Sequence, residues 1–557
     1  MKLFMASLFT LGLLFVMFLT LVFTVLYVFG FFDWYVLIGL TIALNFLFWL
    51  VGPYVSDFIY KWFYKLEWIG IGGLERMNPE VARFVQDVCR RNGLKIPRIG
   101  YIEDDNPTSF TYGSGAFNAR IVFTKGIFTY LKPNEIKTVF AHEIGHVKHQ
   151  DFIVMTIASV LVQLFYEMYR ILIASKSRKG GEVRLAGAAI GYVFYAIGTY
   201  IVLYLSRVRE YYADEFAAIE TKDPNGLAVA LVKIAYGIIK NPEGKKELHL
   251  LKSTRAFNIF DFKIAKSVGL AYLDAVETKS WKPIEGAILF DKFSPWAFVS
   301  ELSSTHPLTG KRIQALGNIA NGLGQKPTFD VQALVRKYNI DHSRLYRSFG
   351  IDVAMMMLPF LLALIPVAVF AVNALTPLQI GVPGQFALGS VIDLASIKAM
   401  VGFALAGLGA GSLASTLYSY STGSGFPNSS VADLMGDIYV SAVRGRPNRL
   451  KGRIVGRGVP GLIFSEDMMF QDGTGLMYLN YESIAPWFGN LVFALTKVDK
   501  LIGKDCEVDG WFIRGLSHWE ELNSIYVDGK TIKSRVRLLG IVFSAIAIAI
   551  GAAIVLI

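Results

Sequence analysis

Two stretches near the start of the chain, Leu3 to Phe32 and Trp34 to Ser56, contain no charged residue and are separated only by Asp33. A helix of about 20 apolar residues crosses a hydrocarbon core of roughly 30 Å, because its backbone groups are satisfied within the segment. The pair is therefore expected to form a transmembrane hairpin. The first block has no small-residue cleavage site with a polar sequel, so a removed signal peptide is not expected. Phe152 to Ser175, Leu185 to Ser206, Val353 to Leu375, Ile397 to Tyr418 and Leu538 to Ile557 have the same apolar character. The expected total is about seven spans. Pro359 and Pro366 should kink the fifth, and Gly407 and Gly411 should let a neighbouring helix approach the sixth. Glu167 and Arg170 fall within the third span at i, i+3 and are expected to snorkel near its boundary rather than line a polar chamber.

Charge orients these spans. Lys and Arg crowd the segment after the second span (Lys61, Lys65), the approach to the fifth (Arg336, Lys337, Arg344, Arg347), the cluster Arg444 to Arg453, and the approach to the last (Lys530, Lys533, Arg535, Arg537). If every span crosses, these segments share one side, which the positive-inside rule makes cytoplasmic. The tip of the third–fourth hairpin, with Lys176, Arg178, Lys179 and Arg184, disagrees with the rule. The formal net charge of +11 therefore reads as membrane-facing basic flanks, and no nucleic-acid partner is expected. Few charges lie within the spans and no internal repeat is evident, which argues against a transporter. Cys89 and Cys506, the two cysteines present, give no disulfide framework and suit a reducing cytoplasm.

Residues 141–149 read Ala-His-Glu-Ile-Gly-His-Val-Lys-His. Positions i and i+4 share a helix face, so His142 and His146 can offer imidazole nitrogens to one metal ion. Zinc accepts this pair and needs a third protein ligand, leaving one place for water. Glu143 is the expected base that takes a proton from that water. Phe140, Ala141, Ile144, Gly145 and Val147 place the segment against other structure, where a Glu between two His needs partners. The implied chemistry is metal-assisted peptide-bond hydrolysis with one Zn2+ per chain. His149 is expected at the interface rather than on the metal. After the fourth span the chain reads Ser206-Arg-Val-Arg-Glu210-Tyr-Tyr-Ala-Asp214. Glu210 and Asp214 share a helix face, so one carboxylate can complete the metal shell and the other support a ligand. By spacing alone they read equally as a solvated acidic pair beside Arg207 and Arg209.

His142, Glu143 and His146, then a membrane hairpin, then Ser206, Arg207, Glu210, Tyr211, Ala213 and Asp214 together resemble the signature of the M48 metallopeptidases. That family includes the HtpX quality-control proteases and the Ste24 prenyl-protein proteases. The resemblance implies Glu210 as third zinc ligand and Asp214 as its support. Ser304-Thr305-His306-Pro307 followed by Arg312 is similar to a family segment near the metal. It implies His306, helped by Arg312, as hydrogen-bond donor to the developing oxyanion. The family's substrate-binding strand, often containing Asn-Ala-Phe, corresponds to Thr108, Ser109, Phe110, Thr111 and Tyr112. Thr108 stands where the family has Asn, and backbone pairing by strand addition survives the change.

The expected fold is an integral membrane, mainly α-helical protein with a cytosolic zincin-like α+β catalytic domain and a C-terminal OB-like β-barrel. Its divisions are a hairpin (1–56), the first catalytic part (57–151), a hairpin (152–206), the second catalytic part (207–350), a hairpin (351–420), the β domain (421–537) and a last helix (538–557). A helix over Pro79 to Asn92, strands at Ile99 to Ile102, Ser109 to Tyr112 and Arg120 to Thr124, and the active helix over Asn134 to His149 are predicted. In the β domain, strands are predicted at Leu450 to Val455, Leu476 to Asn480, Glu507 to Ile513 and Ser524 to Val527. Turns are predicted at Asp472-Gly473, Asp509-Gly510 and Asp528-Gly529. This domain is expected to dock on the membrane face or regulate substrate access. The implied function is an HtpX-type zinc endopeptidase of the plasma membrane, its site facing the cytoplasm. Its partners would be the lipid bilayer and its substrates misfolded or damaged membrane proteins. Alternatives are Ste24-like processing of prenylated C-terminal peptides, or a zinc-stabilised adaptor that binds unfolded segments without cutting.

Overall fold

A computed structural model of the protein describes residues 34–174, 181–240, 281–375, 397–423, 425–458, 465–515 and 518–556. The Leu3 to Phe32 block and most of the Lys176–Arg184 tip lie outside the described residues. The chain is mostly helical and divides into two compact units, residues 1–273 with 287–292 and 297–339, and the remainder. Five described helices are long and apolar enough to cross a membrane. A sixth candidate is a pair of helices, Pro133–Lys148 and Asp151–Glu167, bent by 55° at their junction.

In the first unit, helix α1 (Trp34–Tyr64) runs beyond its apolar block. It leads into a four-stranded sheet of β1 (Glu67–Trp68), β2 (Arg98–Ile102), β3 (Ser109–Tyr112) and β4 (Arg120–Thr124), in the order β1-β2-β4-β3. β2 and β4 are parallel, and β3 is an antiparallel edge strand with Ser109 opposite Phe123 and Tyr112 opposite Arg120. Alternation along β3 sends Phe110 and Tyr112 into a core with Tyr60, Leu66, Ile102 and Val122. Between β1 and β2, helix α2 (Pro79–Arg91) starts where Asn78 caps Val81 N–H at 3.1 Å and Pro79 needs no donor partner.

One ion-pair cluster, centred on the buried Arg120, ties the sheet to α1. Asp57 accepts from Arg120 at 2.9 and 3.1 Å, from Arg98 at 3.1 Å and from the Tyr112 hydroxyl at 2.8 Å. The Arg120 guanidinium also lies 4.8 Å from the Tyr54 ring centre, so the charge is neutralised and stacked rather than left bare.

Helix α3 (Pro133–Lys148) carries the His142–His146 segment. Pro133 opens it, and Glu135 accepts from Lys132 N–H at 2.8 Å while pairing with Lys233. It ends at Gln150, whose φ of 58° is left-handed, and the chain re-enters helix as α4 (Asp151–Ala174). Within α4, Glu167 accepts from Gln163 at 2.7 Å and lies 3.7 Å from Arg170. Helix α5 (Gly181–Thr221) is one 41-residue element. The expected fourth span and the Ser206–Asp214 segment are thus a single rod, because nothing between them breaks helical periodicity. α3 and α5 meet closely: a Cβ on Gly145 would sit 3.1 Å from Ala213 Cα. The two small residues let the two motif-bearing backbones touch. The first unit also includes helix α6 (Thr309–Gly322).

The second unit contains three long apolar helices, α7 (His342–Leu375), α8 (Ile397–Ser419) and α10 (Val536–Leu556). Cβ atoms on Gly407 and Gly411 would fall 2.6 Å from Leu362 O and 2.5 Å from Pro359 Cα, so α7 and α8 pack backbone to backbone, as the spacing predicts. Between α8 and α10 lies a barrel of β5 (Arg446–Arg457), β6 (Met468–Gln471), β7 (Leu476–Asn480), β8 (Asp505–Arg514) and β9 (His518–Val527). Neighbours run β5-β6-β7-β9-β8 and back to β5, all antiparallel except β7–β9. This closed five-stranded order is the OB-type arrangement expected. β10 (Lys530–Lys533) adds to β9. Helix α9 (Pro486–Phe493) lies between β7 and β8. Asp509-Gly510 is a bulge inside the β8–β9 ladder, not a turn. The Asp-Gly pair suits either irregularity, and the pairing partner decides.

Candidate metal centre

One turn each of α3 and α5 and the loop before α6 build the site. His142 Nε2 and His146 Nε2 lie 3.2 Å apart. Glu210, on α5, puts Oε1 3.5 Å from His146 Nε2 and Oε2 3.6 Å from His142 Nε2. Tetrahedral ligands about 2.1 Å from zinc stand about 3.4 Å apart, close to these separations, with the two carboxylate contacts running to different oxygens. Glu210 Oε2 is buried without a hydrogen bond among the described residues. A buried carboxylate oxygen without a hydrogen bond is costly, and the Arg312 guanidinium at 3.5 Å offsets this only in part, so a metal cation would satisfy it further. His142, His146 and Glu210 are the His/Cys/Asp/Glu group of the described residues that could hold a metal ion. They fit zinc in kind, number and spacing.

Each imidazole has a carboxylate at its other nitrogen. His142 Nδ1 lies 2.9 Å from Asp214 Oδ1, and His146 Nδ1 lies 2.6 Å from Asp151 Oδ2. These contacts set which nitrogen faces the ligand triangle. Asp151 is a site residue that sequence reasoning missed. It lies beyond the end of α3, and only the left-handed Gln150 turns it back toward His146. Arg209 pairs with Asp151 in turn. Arg312, on α6, grips Asp214 with two hydrogen bonds of 2.8 and 2.6 Å and reaches 3.5 Å from Glu210 Oε2. Burial opposes the Arg312 cation, but Asp214 and Glu210 more than offset it and push its pKa upward.

His306 comes from the loop before α6. Its Nε2 lies 3.6 Å from Glu210 Oε1, and its Nδ1 contacts Thr305 Oγ1 at 2.9 Å. Ser206 and Arg207 hold this loop. Ser206 Oγ donates to Thr305 O at 2.9 Å, and Arg207 donates to the carbonyls of Glu301 and Ser304, both at 2.8 Å. The Ser-Arg pair is therefore a bracket for the His306 segment.

Glu143 is buried and faces β3. Ser109 Oγ donates to its Oε1 at 2.6 Å, and Thr111 Oγ1 donates to its Oε2. The structure thus brings Ser109 and Thr111 to the carboxylate by their side chains. Phe110 and Tyr112 face the opposite core, and Thr108 is tied through Thr124. Among the described residues, no strand pairs with the outer edge of β3.

Residues 75–320 match the model of peptidase family M48. A protease HtpX homolog of Aeropyrum pernix is 29% identical over 296 residues, covering 51% of this chain and 86% of that protein. A protease HtpX homolog of Methanothermobacter thermautotrophicus is 34% identical over 169 residues, covering 30% of this chain and 64% of that protein. The crystal structure of S. mikatae Ste24p covers 56% of this chain and 65% of its own at 19% identity and a TM-score of 0.33, too low a similarity to bear on the fold.

Proposed function

Residues 75–320 of this chain belong to peptidase family M48, and from that premise we propose a membrane-embedded zinc endopeptidase of the HtpX type. The observation that carries the reading is the ligand triangle of His142, His146 and Glu210, with the Glu143 carboxylate on the turn between the two imidazoles. Zinc, when bound, supplies Lewis acidity that acidifies water and polarises a carbonyl. Glu143 takes a proton from the attacking water and passes it to the leaving amine. Ser109 and Thr111 hold its two oxygens in place while it does so. His306 donates to the carbonyl oxygen as charge develops there. Arg312 acts through Asp214 and Glu210 as a positioning residue. The outer edge of β3, where no described strand pairs, pairs with the substrate backbone and presents the peptide bond to the site.

The resemblance to the HtpX branch makes misfolded or damaged membrane proteins the proposed substrates, ahead of prenylated C-terminal peptides. The basic loops favour a site on the cytoplasmic side of the plasma membrane. The test is purification of the full chain in detergent, metal analysis, and digestion of casein and a membrane-protein substrate by wild type and Glu143→Gln. Both proteins should retain zinc, and cleavage by the variant should fall about 10²–10⁴-fold. Equal handling of substrate by the two would replace the peptidase by the non-cleaving adaptor.

A further inference from the structure

The segment between β7 and β8 has two apolar faces. The inner face anchors it to the barrel: the Phe493 ring stacks on Tyr481 at 3.7 Å, and Ala494 and Val498 are buried. Asn490 donates to Glu482 Oε1 at 2.9 Å and to Glu466 Oε1 at 3.2 Å, and it accepts from Ser483 N–H at 2.8 Å. The outer face is Ile484, Trp487, Phe488, Leu491, Val492 and Leu495, all exposed, with Trp487 at 94% and Phe488 at 70%. Trp487, Phe488, Leu491 and Val492, at i, i+1, i+4 and i+5, share one face of α9 (Pro486–Phe493). Ile484 just before it and Leu495 in the π-helical turn after it (Ala494–Val498) extend the exposed apolar surface at either end. A water-facing helix does not carry such a stripe without a partner.

The position of the stripe identifies that partner. Arg535 N–H donates to Glu482 O at 2.7 Å, and Glu482 N–H donates to Ser534 Oγ at 3.1 Å. Ser534 and Arg535 alone separate β10 from α10, which starts at Val536 and is long and apolar enough to span a bilayer. The stripe therefore begins two residues from a backbone pinned to the point where α10 starts. Exposed Lys497, Lys500 and Lys533 accompany it, matching anionic headgroups. A Trp and Phe stripe with adjacent lysines has the composition of an interfacial helix lying in the headgroup–acyl boundary.

We propose that residues 484–495 insert their outer face into the lipid monolayer beside α10, seating the barrel on the bilayer surface. The occupant of the stripe is lipid, with anionic lipid strengthening the contact. The experiment uses the full chain in nanodiscs of phosphatidylcholine, with and without phosphatidylglycerol, carrying a nitroxide at Trp487→Cys or, separately, Phe488→Cys. The native Cys89 and Cys506 are buried, so the introduced thiol takes the label. Phe543→Cys on the outside of α10 gives the lipid reference, and Lys451→Cys on the barrel wall gives the water reference. Collision with oxygen should approach the Phe543 value, and collision with a water-soluble nickel chelate should fall severalfold below the Lys451 value. Nickel accessibility equal to that of Lys451 at both positions would overturn the proposal. Exclusion of both reagents would also overturn it, in favour of a protein surface packed on the stripe. Two labelled positions guard against a local distortion at either one.

Discussion

The Ser109 hydroxyl donates to Glu143 Oε1 across 2.6 Å, while Thr111 on the same strand face holds Oε2. A sheet edge thus fixes the rotamer of a carboxylate on a neighbouring helix. Ser109→Ala combined with Thr111→Val should lower kcat about 10-fold, leaving KM and zinc content little changed. Ser109→Thr and Thr111→Ser, which keep the hydroxyls, should stay near wild type. Steady-state kinetics on a membrane substrate decides the matter, and a loss confined to KM would contradict the positioning role.

Asp151 bonds His146 Nδ1 at 2.6 Å. Asp151→Asn should weaken zinc binding by about 10–100-fold, as loss of an outer carboxylate does at other His-ligated metals. Competition against a chromophoric chelator measures this. An unchanged affinity would show that Asp151 serves Arg209 alone.

Arg312 neutralises Asp214 at a place where both are buried. Arg312→Met should destabilise the chain by about 3–5 kcal/mol, because it strands a buried carboxylate. Arg312→Met with Asp214→Asn should recover part of that loss. Denaturant unfolding of the detergent-solubilised protein reads both, and a double variant no better than the single would refute the coupling.

Glu520 lies inside the barrel, both oxygens accepting from Asn448 at 3.0 and 3.1 Å. Burial raises its carboxyl well above the usual range and Glu521 and Asp509 add to this, while the Asn448 bond opposes it. The folded state therefore holds a proton that the unfolded chain releases at lower pH. Stability from this group is full below the unfolded value near about 4.3 and is lost as pH rises toward the folded value. Glu520→Gln should raise stability by about 1–2 kcal/mol near neutral pH, with the gain shrinking toward about pH 4. Thermal unfolding across that range checks it; a gain independent of pH would contradict it.

Much of this site was legible because its chemistry is local. His142, Glu143 and His146 lie about one helical turn apart, so spacing put them together. Glu210 and Asp214 share a face, but only the resemblance to the M48 signature singled them out from a solvated acidic pair. The sheet strands and α2 were equally readable from alternation, Asn78 and Pro79. What spacing could not give depends on tertiary packing. Asp151 reaches His146 only through the left-handed Gln150. Ser109 and Thr111 meet Glu143 only because β3 sits at the sheet edge next to α3. Asp509-Gly510 carried a turn signal, and the β9 pairing made it a bulge. The exposed apolar face from Ile484 to Leu495 depends on Asn490 and Phe493 claiming the other face, which only the packing of the barrel shows.

Asp57 belongs to a helix long and apolar enough to cross a membrane, and its carboxylate grips Tyr112 and Arg120, at the paired ends of β3 and β4. The strand that steadies Glu143 is thereby moored to a candidate membrane span. Sliding or tilting that element to suit a thicker or thinner membrane would drag the strand with it. Acyl-chain length is therefore expected to bear on how β3 meets Glu143, from a point outside the metal centre.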